Sequence, residues 1–328
     1  MKLLVTGAAG FLGFHVCERL MADGATVTGV DNLNSYYDPR LKHARLELLE
    51  RRRDFEFHKI DLADRRATET LFRSETFDAI IHLAAQAGVR HSMAHPHAFV
   101  RSNVQGFLNV LEGARHLRKP HLIYASSSSV YGGNEKFPFS IEDRCDKPVS
   151  IYAATKRANE LMAYSFAHLF GIPATGLRFF TVYGPWGRPD MAPYRFADAI
   201  EQGRQVDIYN YGRMLRDFTY VDDVAESVAR LVERGPAGYR LFNVGGSDPV
   251  PLMQFLHELE AALGKRACRR FLPMQPGDVV ATHADVQELE AWVGYRPSTP
   301  LETGVDRFVS WCRDWWRRPQ SIACRAAS

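Results

Sequence analysis

The chain has 328 residues, enough for one large domain or two smaller ones. It is 46% hydrophobic, 24% charged and 12% aromatic, the profile of an ordinary globular protein without repeats or low-complexity segments. A net charge of +3 with dispersed Lys and Arg gives no case for a nucleic-acid partner, and no apolar run is long enough to span a bilayer.

Lys2–Thr6 is an apolar run that reads as a buried strand, so no secretory leader is expected. Gly7-Ala-Ala-Gly10-Phe11-Leu12-Gly13 follows at once and leads into a helical pattern over Phe11–Asp23. Glycines in a G-x-x-G-x-x-G after a strand let the backbone approach a pyrophosphate, which helix N–H groups and the positive end of the helix dipole then hold. The second strand, Thr26–Asp31, ends on an acid 24 residues after Gly7. The Asp31 carboxylate can accept hydrogen bonds from adenosine ribose hydroxyls and would repel a 2′-phosphate, so NAD is expected rather than NADP.

Further along, Arg51-Arg52-Arg53 reads as a solvated helix end. Phe55–Leu62 is the third strand, whose end places Asp61 and Leu62 to meet the adenine. Ala79–Ala85 is the fourth and His121–Ser127 the fifth, with helical patterns over His97–Leu117 and Tyr152–Phe170 around it. A sixth strand, Ala174–Phe180, is expected to complete the parallel set. This alternation predicts an α/β fold, a Rossmann-type doubly wound parallel sheet. After Gly184, Pro and Gly become frequent and strand pieces such as Val206–Tyr209 and Phe218–Val221 stand alone. The expected organisation is a cofactor domain over 1–180, with the chain returning to it around 217–245. A smaller C-terminal substrate-binding α/β domain over mainly 181–317 follows, then a flexible tail at 318–328.

Cys17, Cys145, Cys268, Cys312 and Cys324 lack C-x-x-C spacing, which fits reduced thiols in the cytoplasm better than a disulfide framework or a zinc site. His95-Pro-His97 has no further ligand at metal spacing, so no metal is expected.

Tyr152 and Lys156 stand at i and i+4 of one predicted helix, so phenol and ammonium can address one site. A free tyrosine titrates near pH ~10, too high for a base, and a nearby ammonium would bring it down. The run Ser126–Ser129 ends the fifth strand and can share a substrate oxygen with Tyr152.

Taken with His82-Leu-Ala-Ala85 and Asn103, these residues resemble the extended short-chain dehydrogenase/reductase family, up to about Trp315. The resemblance implies Tyr152, Lys156 and Ser127 as catalytic residues, with Lys156 also holding the nicotinamide ribose. It implies Gly7, Gly10, Phe11, Leu12, Gly13, Asp31, Asn32, Asp61, Leu62, Ala84, Ala85, Gln86, Asn103 and Phe179 around the NAD. Arg216 would hold a diphosphate, Asp278 the nucleotide ribose, and Tyr209 would also touch a UDP-sugar. Relatives pair into homodimers through helices equivalent to the two around the fifth strand, where Leu108, Leu111, Leu161 and Met162 either form an interface or pack on the sheet.

Resembling dehydratases carry Asp-Glu, and resembling decarboxylases Glu, before Val-Tyr-Gly, where this chain has Ser128 and Ser129. Epimerisation is therefore the expected outcome. Asp31–Asn34, Tyr36–Lys42, Phe180–Ala192 and Met274–Asp278 resemble the UDP-glucuronate 4-epimerase branch. His91, Met93 and Ala94 depart from it near the substrate side. A uronate carboxylate needs a partner in a closed site. Arg188 is the candidate cation, with Thr181, Ser128 and Ser129 as hydroxyl donors; a surface charge or a diphosphate ligand is the other reading of Arg188. A UDP-glucose or UDP-N-acetylglucosamine 4-epimerase and a non-catalytic NAD-binding regulatory protein are the competing functions.

Overall fold

Short apolar runs alternating with amphipathic helices resolve into a parallel sheet covered on both faces. The computed structural model describes residues 1–117 and 119–318. Its first half runs β1 (Lys2–Thr6), α1 (Phe11–Ala22), β2 (Thr26–Asp31), α2 (Pro39–Glu50), β3 (Phe55–Lys59), α3 (Arg65–Ser74) and β4 (Ala79–His82). Helices α4 (Val89–Ala94) and α5 (Pro96–Phe99) lead through a π-helical segment (Val100–Gln105) into α6 (Gly106–Arg115). Next come β5 (His121–Ser127), α7 (Ile151–Phe170), β6 (Ala174–Phe179), β7 (Thr181–Tyr183), α8 (Ala192–Glu201), β8 (Gln205–Ile208) and β9 (Leu215–Tyr220). The chain ends with α9 (Val221–Arg234), β10 (Tyr239–Val244), β11 (Pro249–Pro251), α10 (Leu252–Leu263), β12 (Cys268–Phe271), α11 (Gln287–Val293) and α12 (Leu301–Trp316).

The main sheet has the order β10-β6-β5-β4-β1-β2-β3, with every pair parallel. β4 and β5 are buried at every position, as strands covered by helices on both faces must be. Strand order reverses between β1 and β4, so their carboxyl ends open a crevice, the place where open α/β sheets bind ligands.

Several expected boundaries shift. The third strand stops at Lys59 and the fourth at His82, because Asp61 and Ala84 already belong to the loops that bend over the crevice. Ala174–Phe179 does not complete the sheet. β10 pairs along it from Tyr239 to Val244, a seventh strand that sequence reasoning had only as an unspecified return of the chain. The single helical pattern over His97–Leu117 is interrupted by the π segment. The reading of Arg51–Arg53 as a helix end holds: α2 stops at Glu50, and Arg51 and Arg52 pair with Glu47 and Asp54.

A second core forms under the small sheet β11-β9-β7 and the pair β12-β8, with Phe255, Leu256, Val305 and Phe308 buried in it. The expected block over 181–317 is interrupted twice. α9 lies on α1 and β10 joins the main sheet, with Val224 and Val228 in the first core. α11 then packs on β10 through Leu289 and Trp292, a second return with no strong sequence signal. The expected tail at 318–328 lies outside the described residues except for Arg318. Among the described residues no helix is long and apolar enough to cross a membrane.

Candidate active site

The crevice between the two cores is a cavity of about 1070 Å³. Its floor is the glycine loop between β1 and α1. Gly7 takes φ +73°, and a Cβ there would stand 2.8 Å from the Ala84 nitrogen. A Cβ on Gly13 would sit 2.0 Å from the Gly7 carbonyl oxygen, so the strand-to-helix turn closes only without side chains. Gly10 is the N-cap of α1 and offers no side-chain oxygen to its first turn, which leaves those N–H groups for a ligand.

Asp31, at the end of β2, is buried and accepts a hydrogen bond from the Leu33 nitrogen at 2.8 Å. The Lys42 ammonium stands 3.9 Å away and donates to Asn34 at 3.0 Å. Burial lowers the Lys42 pKa, partly offset by Asp31. Sequence reasoning had Lys42 only as the end of the Tyr36–Lys42 stretch, with no role of its own. Asp61 caps the Ala63 nitrogen at 3.0 Å and pairs with Arg101 at 2.7 Å, while Leu62, Asn32, Ala84, Ala85, Gln86 and Phe179 line the same wall. An N–H cradle beside a buried carboxylate fits a dinucleotide's diphosphate and ribose diol.

Asn103 departs from its expected role. Only 1% exposed, it accepts from the Gln86 nitrogen at 2.8 Å and donates to the Gln86 oxygen at 2.9 Å and to Thr155 Oγ1 at 3.0 Å. Its amide is committed to protein partners behind the wall, so it shapes the Gln86 backbone rather than reaching the cavity.

Ser127 ends β5, and its Oγ accepts from the Ser129 nitrogen at 3.2 Å and donates to Ser129 Oγ at 3.1 Å. Tyr152 is the second residue of α7, a helix started by Ser150, whose side chain accepts from the Ala153 nitrogen at 3.1 Å. Lys156 lies one turn on, and its Nζ donates to the Ala125 carbonyl at 2.9 Å. Burial lowers the Lys156 pKa to about 8 against the opposing pull of Glu160. Burial raises the Tyr152 pKa, while the neighbouring Ser127 hydroxyl and the Arg188 charge act to lower it. The Lys156 ammonium is directed at Ala125, while Ser127 and Arg188 act on the phenol.

On the substrate side, Arg188 already has a carboxylate. Its Nε donates to Asp190 Oδ1 at 3.0 Å and its Nη2 to Asp190 Oδ2, with the Ala87 carbonyl at 3.3 Å. Tyr36 donates to the same Asp190 Oδ2 at 3.0 Å. Sequence reasoning missed Asp190, although it follows Arg188 by only two residues. Thr181, Ser128 and Ser129 share the cavity with Arg188. At the far end Arg216 donates to the Val279 and Val280 carbonyls at 2.7 and 3.1 Å, and Asp278 pairs with Arg90 at 2.9 Å. The Arg90 guanidinium also stands 4.6 Å above the Tyr209 ring. Tyr209, Arg216 and Asp278 therefore line the same cavity, and Arg90, reaching over from α4, joins them.

The model of the NAD dependent epimerase/dehydratase family matches residues 3–245. The chain is 48% identical to the probable UDP-glucuronate 4-epimerase of Rhizobium meliloti, over 97% of this chain and 98% of that protein. Among solved structures it is similar to the UDP-glucuronic acid 4-epimerase of Bacillus cereus in complex with UDP-glucuronic acid and NAD. That likeness has a TM-score of 0.91 and 31% identity over 96% of this chain and 100% of the other. It is also similar to the UDP-glucose 4-epimerase of Thermotoga maritima with UDP-glucose, at a TM-score of 0.87 and 30% identity over 96% and 100%.

Proposed function

The chain belongs to the NAD dependent epimerase/dehydratase family, and from that premise we propose that it interconverts UDP-glucuronate and UDP-galacturonate by epimerisation at C4. The likeness to UDP-glucuronate 4-epimerases in sequence and in structure supports this reading.

Gly7, Gly10 and Gly13 with the first turn of α1 hold the NAD diphosphate, and Asp31 its adenosine ribose. When bound, NAD supplies reversible two-electron acceptance from the sugar C4. The chain's own residues do the rest. Tyr152 Oη takes the proton of the sugar 4-hydroxyl and later returns it, with Ser127 donating to the same oxygen. Lys156, anchored on the Ala125 carbonyl, has donors left for the nicotinamide ribose. Arg90, Tyr209, Arg216 and Asp278 grip the nucleotide end, which leaves the 4-keto sugar free to turn its other face. Ser128, Ser129, Thr181 and the Nη1 of Arg188 receive the uronate carboxylate.

The observation that carries the reading is the meeting of Tyr152, Ser127 and Lys156 at one wall with Ser128 and Ser129, where an elimination would need acids. Incubating the protein with UDP-glucuronate and no added cofactor should yield UDP-galacturonate, and Tyr152→Phe should abolish the product while NAD stays bound. Turnover of neutral UDP-hexoses alone would instead establish a UDP-glucose-type 4-epimerase.

The enzyme works as a homodimer in the cytoplasm on this reading. Leu108, Leu161, Tyr164 and Leu169 stay exposed on the outer faces of α6 and α7, whereas Leu111 is fully buried inside. Cys17, Cys145, Cys268 and Cys312 are free thiols, as a reducing compartment keeps them.

A further inference from the structure

Arg45 has the sequence setting of a solvated helix charge, yet in α2 its side chain is 0% exposed. Its Nη1 donates to the Ala9 carbonyl and to the Tyr37 hydroxyl, both at 2.8 Å, and its Nη2 to the Trp186 carbonyl at 2.6 Å. Its Nε is buried without a hydrogen-bond partner. Among the described residues no carboxylate forms an ion pair with it, and Asp31 acts on it only from a distance. A buried guanidinium without an opposite charge is strongly disfavoured. Lys42 and Arg188 add positive charge to the same region.

Three segments meet on this one group. Ala9 belongs to the glycine loop, and Tyr37 precedes α2. Trp186, at φ +61°, sits in the turn that leads to Arg188. The Trp186 ring is itself wedged against Phe14 of α1 and Trp311 and Trp315 of α12. By drawing the Ala9 carbonyl backwards, Arg45 keeps that oxygen away from the ligand side of the loop. Its charge adds to the positive end of α1 at the same place, through an interior of low dielectric.

We propose that Arg45 is a positioning residue whose counter-charge is the dinucleotide's diphosphate, so that cofactor binding and the seating of the Arg188 turn are coupled through it. The proposal rests on the reading that NAD lies over Gly7–Gly13. An anion bound there lowers the energy of the buried cation. The relaxed cation in turn holds the Trp186 carbonyl, and with it the backbone from which Arg188 projects.

The test uses the full chain, stripped of nucleotide and titrated with NAD. Arg45→Gln removes the charge and keeps an amide of related reach, whereas Arg45→Lys keeps the charge but cannot serve all three acceptors. For Arg45→Gln the Kd for NAD should rise about tenfold or more. Its Tm without NAD should be unchanged or higher, so the increase in Tm that NAD produces shrinks. Arg45→Lys should hold NAD within about threefold, while its KM for UDP-glucuronate rises more than its kcat falls. An unchanged NAD affinity in Arg45→Gln, or equal Tm losses with and without NAD, would overturn the proposal. If the glutamine variant does not fold, Arg45→Lys decides, and unchanged values of both Kd and KM overturn it. Failure of the unmodified chain to bind NAD would instead overturn the cofactor reading itself.

Discussion

Arg188 and Asp190 form a neutral pair at the wall where a uronate would place its carboxylate. Oxidation at C4 turns the sugar into a β-keto acid, which loses CO2 when its C5–C6 bond stands perpendicular to the carbonyl plane. The hydroxyls of Ser128, Ser129 and Thr181 and the remaining donors of Arg188 can hold the carboxylate away from that geometry. Arg188→Ala alone leaves Asp190 unpaired beside the incoming anion, so it should chiefly raise KM for UDP-glucuronate, by about tenfold or more. Adding Asp190→Asn removes the repulsion without restoring the clamp. UDP-pentose should then appear beside UDP-galacturonate on chromatographic analysis, and a double variant that binds UDP-glucuronate yet forms no pentose would remove Arg188 from the clamp. The resemblance brought out Arg188 because its motif is local. Tyr36, which donates to the Asp190 carboxylate paired with it, became visible only in three dimensions, 154 residues before that acid.

At the scale of elements, the π-helical interruption between α5 and α6 has an identifiable cause. Asn103 lies within it and its amide binds both backbone groups of Gln86 and Thr155, while its own carbonyl accepts from Asn159 Nδ2 at 2.7 Å. A wider turn there lets one residue join the loop after β4 to α7, the helix of Tyr152. Asn103→Ala should lower unfolding stability by roughly 2 kcal/mol or more, the scale of leaving buried polar groups unpaired. Denaturant titration measures that loss, and NAD affinity should fall with it because the Gln86 wall loosens. The motif Asn103 was visible in the sequence, but its use was not: a buried amide and a ligand-binding one look alike without the partners. β1, β2 and β5 were legible to the residue, since buried strands read as continuous apolar runs bounded by Gly, Asp or Ser. β10 was not, because Tyr239–Val244 opens with Tyr and Arg and gains its place only by pairing with β6.

Across the whole molecule, two buried histidines, His82 and His121, and the partly buried His15 shape the response to acid. Burial lowers the pKa of His15 and His121 to about 4 and of His82 to about 3, from 6.5 in an unfolded chain. Between pH 6.5 and about 4 the unfolded state therefore binds more protons than the native one. Their contribution to stability is complete above 6.5 and is lost as the pH falls through that window. Tm should accordingly drop between pH 7 and pH 4.5, and His121→Gln, which removes one titrating ring beside Thr175, should flatten the drop while lowering Tm at pH 7. An unchanged slope in that variant would show that His121 does not titrate on unfolding. At this scale the change of texture after Gly184 lies close to the point where the chain first leaves the main sheet for the small one. The return of α11 to the first core was not legible in the sequence, since it depends on Leu289 and Trp292 meeting a strand far back in the chain.

That interleaving bears on how the chain comes to be made. One face of α1 is covered by α9, and the edge of β6 by β10, so the first core has no finished boundary near residue 180. On a ribosome, a nascent chain ending there would present both a bare helix face and an unpaired strand edge, the surfaces through which partly folded chains aggregate. Synthesis must pass residue 293 before the dinucleotide half can close. The two halves are thus woven into a single unit of inheritance, and exchanging one between relatives would mean transplanting α9, β10 and α11 with it.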